Sequence, residues 1–62
     1  MEDYIVVYYY NRKEKTWIAE VVDEENIVVE SVKAYNEKHA KEQARNLVKK
    51  YNAIRFSKTD VK

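Results

Sequence analysis

A chain of 62 residues with no cysteine, glycine or proline, one histidine and a formal net charge of +1 reads as one small domain, 1-62, whose folding buries only about 60% of the surface the unfolded chain exposes. Disulfides and glycine-built phosphate loops are excluded, and a single histidine argues against structural zinc. Residues 1–31 hold eight acids and three bases, a net −5, and residues 32–62 hold three acids and nine bases, a net +6; these halves complement each other within one fold, without the overall basic excess of a nucleic-acid binder.

Tyr4 to Tyr10 is an unbroken run of β-branched and aromatic residues, and Thr16 to Val22 repeats the pattern more weakly, so the two predict a β-hairpin. The polar residues Asn11 to Lys15 form its loop. Pairing Tyr10 with Thr16 across five loop residues places Ile5, Val7, Tyr9, Trp17, Ala19 and Val21 on one uncharged face, which is assigned to the core. The other face then carries Tyr4, Val6, Tyr8, Tyr10, Thr16, Ile18, Glu20 and Val22. With one charge among eight residues it is too apolar for an ordinary wet sheet face, and it is the candidate contact surface.

Asp23, Glu24, Glu25 and Asn26 make a polar break. The three acids lack the loop spacing and further ligands of a calcium site and read as a solvated turn. Ile27 to Val32 predicts a third strand, with Ile27 and Val29 inward and Glu30 outward beside Ile18, because a lone carboxylate in the core is costly. From Asn36 the period changes. Ala40, Ala44, Leu47, Val48 and Tyr51 share one helical face, Asn36 is a suitable N-cap, Glu37 suits the first turn, and Lys49 and Lys50 suit the last. Without glycine, asparagine must supply left-handed turns and caps, and Asn11, Asn26 and Asn52 stand where these are expected. Ile54 and Phe56 at strand spacing predict a short fourth strand, parallel to the first by a crossover or paired with another subunit. The end of the chain, 59–62, is expected to fray.

These elements define an α+β class: an antiparallel three-stranded sheet packed on one face by a single helix, with a short C-terminal fourth strand (β-β-β-α-β). The segment Trp17-Ile18-Ala19-Glu20-Val21, followed by a turn, a third strand and a helix with Ala40 and Ala44, resembles the DNA-binding domain of plant ethylene-response transcription factors and the arm-binding domains of phage integrases. The likeness covers roughly Trp17 to Val48 and implies a sheet laid into the major groove of DNA. Where that family carries arginines and glycines, this sheet offers Tyr4, Tyr8, Tyr10, Ile18, Glu20 and Val22. The same strand order is also similar to the small phage-encoded inhibitor of bacterial RNA polymerase, a resemblance that implies a protein partner.

Chemistry has little to stand on. His39 is the lone histidine, at the flank of the helical stripe with no nucleophile placed for it, and Glu20 with Glu30 is the one carboxylate pair that a sheet face would bring together. The expectation is a non-enzymatic protein with no catalytic residue, cofactor, metal or small-molecule substrate. It binds itself as a homodimer, or a protein partner, through Tyr4, Tyr8, Tyr10, Ile18 and Val22. The alternative is nucleic acid, with the tyrosines stacking bases and Arg12, Lys13 and Lys15 holding phosphate. No apolar run reaches membrane-spanning length, and Met1-Glu2-Asp3 is not the start of a signal peptide; with cysteine absent, a cytoplasmic location is expected. The abundance of lysine, asparagine, isoleucine and tyrosine fits AT-rich coding, as in viruses and mobile elements.

Overall fold

The computed structural model describes residues 3–59. The chain runs β1 (Ile5–Asn11), β2 (Thr16–Val22), β3 (Val28–Ala34), α1 (Glu37–Tyr51) and β4 (Arg55–Lys58), and the sheet order is β3-β2-β1-β4. β1 with β2 and β2 with β3 are antiparallel, and β4 lies parallel to β1. This is the expected α+β class, with the fourth strand paired within the chain.

The hairpin register differs from the sequence reading by one residue. Asn11 belongs to β1 and pairs with Thr16, which sets Tyr10 opposite Trp17, Tyr8 opposite Ala19 and Val6 opposite Val21. Four residues, not five, make the loop. The Asn11 side-chain oxygen accepts the Glu14 backbone N–H at 3.1 Å, and Lys15 takes the left-handed conformation at φ 54 that the sequence reading gave to asparagine. Losing one loop residue reverses the parity of β1 against β2. Trp17, Ala19 and Val21 therefore face the helix as expected, but in company with Tyr4, Val6, Tyr8 and Tyr10, and Ile5, Val7 and Tyr9 face away.

The core joins Val6, Tyr8, Ala19, Val21 and Ala34 of the sheet to Ala40, Ala44 and Leu47 of the helix. Four of these eight are alanine, so the helix backbone can lie close to the strands, and aromatic rings close the sides. Tyr4 meets Tyr51, Tyr8 meets Phe56 and Tyr10 meets Trp17 edge-on, at centroid distances of 5.3, 5.7 and 5.6 Å. The helix is capped as its sequence implies. Asn36 accepts the His39 N–H at 2.8 Å, and Asn52, left-handed at φ 55, donates its N–H to the Val48 carbonyl. His39 flanks the buried stripe, half-buried, with its ring stacked on Tyr35 at 4.9 Å and Nδ1 accepting the Tyr35 N–H at 3.2 Å.

β3 also departs from expectation. A bulge lets Val22 pair with Val28 and Val21 with Glu30, so Glu30 stands on the helix side while Ile27 and Val29 are exposed. The last helical turn removes the cost of that position. Lys50 Nζ and Tyr51 Oη lie 2.8 and 2.6 Å from the same Glu30 oxygen. Glu20 and Glu30 thus occupy opposite faces and form no carboxylate pair. Asp23 organises the turn before β3, its carboxylate accepting the Glu25 and Ile27 N–H groups at 2.9 and 3.0 Å, and Asn26 supplies the left-handed residue at φ 65. Ile54 lies outside β4, exposed. Thr59 is tied by its N–H to the Tyr8 carbonyl at 3.0 Å; residues 60–62, the rest of the segment expected to fray, and residues 1–2 lie outside the described residues.

Candidate interaction face

A four-stranded sheet with one helix has a second broad face, and no element among the described residues covers it. Strand alternation and the observed pairing place Ile5, Val7 and Tyr9 of β1, Ile18, Glu20 and Val22 of β2, and Val28, Ser31 and Lys33 of β3 on this side, with Arg55 and Ser57 of β4 at the far edge. Apolar residues run across its middle and cations stand at its margins. Lys33 reaches towards Glu14, 3.9 Å away.

The centre of this face is packed by its own side chains. Tyr9 lies directly across from Ile18 and diagonally from Glu20, within reach of a tyrosine side chain. Its phenol donates to the Glu20 carboxylate, and Glu20 is only 4% exposed. Burial, that hydrogen bond and the nearby negative charges of Glu20 and Glu14 push the Tyr9 phenol up to about 12. Beside Glu20 opens a recess of about 250 Å³ lined by Val7, Glu20, Val22, Asn26, Val28 and Thr59. A larger depression, about 420 Å³, runs along the helix between Glu42, Arg45, Asn46, Val48 and Lys49. Its polar residues are all exposed, so it concentrates no buried charge and makes the weaker site.

The residues singled out in the sequence are divided by this geometry. Ile18 and Val22 lie on the open face. Tyr4, Tyr8 and Tyr10 lie on the helix side, Tyr8 buried and the other two half-buried, each with its ring against another aromatic. Arg12, Lys13 and Lys15 are exposed in the hairpin turn, away from the recess. Sequence reasoning missed Ile5, Val7 and Tyr9 as residues of the open face, and it missed Val28. The usable signal was Asn11 three residues before Glu14, the spacing of a side-chain-closed turn that shortens the loop to four.

Among the described residues no group of three or more acidic, histidine or cysteine side chains is placed to hold a metal ion, and no helix is long and apolar enough to cross a membrane. Comparison of the chain with protein-family models, with curated proteins and with solved structures returns no match.

Proposed function

We propose that this chain is a small non-enzymatic interaction protein that holds a protein partner, or a second copy of itself, against the open face of its sheet, inside the cell. The observation that carries the reading is the apolar group of Ile5, Val7, Val22 and Val28, half-buried or exposed around the buried Tyr9 and Ile18, on a face that no described element covers. An antiparallel sheet with a solvated side ordinarily turns polar residues outward, and a continuous apolar patch rimmed by polar residues is the usual sign of a contact surface. The patch reaches the edge of the sheet, where Ile27, Val28 and Val29 are 56%, 50% and 43% exposed, beside a strand with an unpaired edge.

The test is a photo-reactive amino acid placed at Lys33 on the open face, with a control at Lys41 on the exposed side of the helix. The reading expects a discrete adduct in cells from position 33 and none from position 41. Doubling of the chain mass would identify a second copy, and a larger increase another protein. Equal labelling from both positions, or none from position 33, overturns it.

One observation favours nucleic acid as a second reading: Arg12, Lys13 and Lys15 are all exposed in one turn. The tyrosines expected to stack bases are instead engaged by Tyr51, Phe56 and Trp17. Binding to mixed-sequence DNA and RNA that weakens steeply with salt would favour it over the protein-partner reading.

A further inference from the structure

The two turns that flank β2 carry opposite charge. The β1–β2 turn holds Arg12, Lys13 and Lys15 against Glu14, and the β2–β3 turn holds Asp23, Glu24 and Glu25 with no base; all of these except Asp23 are exposed. Both turns border the open face. Lys33 of that face stands 3.9 Å from Glu14 in the first turn, and Asn26 of the second lines the recess with Val7, Val22 and Val28. β2 is seven residues long, which sets the turns about 20 Å apart, well beyond the screening length of about 8 Å at physiological salt. They cannot neutralise each other within one chain.

We propose that the open face is covered by a second copy of this chain, laid sheet to sheet and turned about a two-fold axis that crosses the strands at their middle. The assignment rests on the open face being the interaction surface, and names what covers it. This rotation reverses the strand direction, so the basic turn of each copy meets the acidic turn of the other, twice by symmetry. An axis along the strands would instead stack basic turn on basic turn and acidic on acidic, which like-charge repulsion disfavours. A partner of other sequence would need the same pattern in reverse, whereas a second copy carries it necessarily. The acidic end of one copy, with Ile5, Val22 and Val28, then lies over the basic end of the other, with Tyr9, Ile18 and Lys33. Glu20 is already 4% exposed in the single chain, so covering it adds little desolvation. The four strands, at about 4.8 Å spacing and with a turn at either end, present a footprint of about 600 Å². Two copies together bury about 1,200 Å², the lower end of the range for specific interfaces.

The experiment is light scattering on the full chain and on two variants with one turn reversed, Arg12→Glu/Lys13→Glu and Glu24→Lys/Glu25→Lys, whose changed positions are all exposed. The parent should pass from monomer to dimer between about 1 µM and 1 mM, as suits an interface of this size. Each variant alone should dimerise at least about tenfold more weakly, because like charges then meet at both contacts. An equal mixture of the two should recover dimers to within about threefold of the parent, because mixing restores opposite charges at both contacts. If either variant does not fold, salt decides on the parent: raising it from about 0.02 to 0.5 M should weaken the dimer several-fold by screening the turns. A parent still monomeric at about 1 mM, a dimer indifferent to turn reversal or, in the salt series, to salt, or a mixture without recovery overturns the proposal. A monomeric parent whose position 33 gives adducts with another protein leaves the interaction face standing and removes the second copy. Absence of any adduct from position 33 removes the interaction face, and the proposal with it.

Discussion

On the side of the sheet away from the helix, the phenol of Tyr9 donates a hydrogen bond to the carboxylate of Glu20, and the two residues are 6% and 4% exposed. One strand position earlier, Tyr8 is equally buried, against Phe56 on the helix side. Adjacent tyrosines thus serve the two faces. Tyr8 belongs to the core, and Tyr9 fixes the central acid of the open sheet face.

Tyr9 should therefore titrate late. Its phenol is pushed up to about 12 by burial first and by the Glu20 hydrogen bond second, whereas an unfolded tyrosine ionises near 10. A group whose folded value is raised contributes stability that is complete below the unfolded value and is lost as pH climbs through the folded one. Stability should accordingly decline between about pH 10 and 12, and ultraviolet titration should show the Tyr9 phenolate forming at the top of that range, with Tyr51, raised by its Glu30 hydrogen bond, also delayed. Tyr9→Phe should remove its late phenolate and the hydrogen bond to Glu20, at a cost of about 1–3 kcal/mol in chemical denaturation.

Glu30 should govern the acid limb. The Lys50 hydrogen bond, with Tyr51 adding to it, holds the Glu30 carboxyl below its usual value, and the same contact raises Lys50. With the folded value lowered, the contribution is present above the unfolded carboxylate value and is lost as pH falls through the folded one. Urea midpoints measured down the acid range should fall, and Glu30→Gln should flatten that fall. Because Lys50 is exposed, added salt should flatten it too.

The hairpin turn is under mild backbone strain at Lys15, a β-carbon-bearing residue at φ 54. Asparagine tolerates this region far better. Lys15→Asn should stabilise the chain by about 0.5–1 kcal/mol, read from the thermal midpoint, with the β1–β2 register unchanged.

Ala44 is fully buried where the helix meets the sheet. Ala44→Leu should push the two layers apart and destabilise by about 1–3 kcal/mol through overpacking, measured by denaturant unfolding.

The helix was the most legible element. Its apolar stripe, Asn36 cap and left-handed Asn52 all follow from spacing and residue type, because a period of 3.6 allows one face only. β2 was legible as well: Ala19 between Trp17 and Val21 faces the helix, which places Ile18 and Val22 outward. β1 was not, because Ile5, Val7 and Tyr9 are as apolar as Tyr4, Val6 and Tyr8, so hydrophobicity could not choose between its faces. The choice fell to the loop, and the loop turned on a lysine adopting a conformation usually left to asparagine or glycine. Glu30 was misplaced for a different reason. Its partners, Lys50 and Tyr51, lie 20 and 21 residues away, and only the tertiary fold brings them to it. The recess beside Glu20 was illegible for both reasons together, since it needs the true facing of Val7 and the bulge that brings Val28 opposite Val22.

The most direct measurement keeps the photo-reactive group at Lys33 and compares the parent with a Val7→Thr/Val22→Thr double variant. Both valines are half-buried on the open face, and threonine keeps their strand preference while making the surface polar. The expected result is loss of the adduct with the unfolding midpoint nearly retained. An adduct of undiminished yield from the folded double variant would contradict the account.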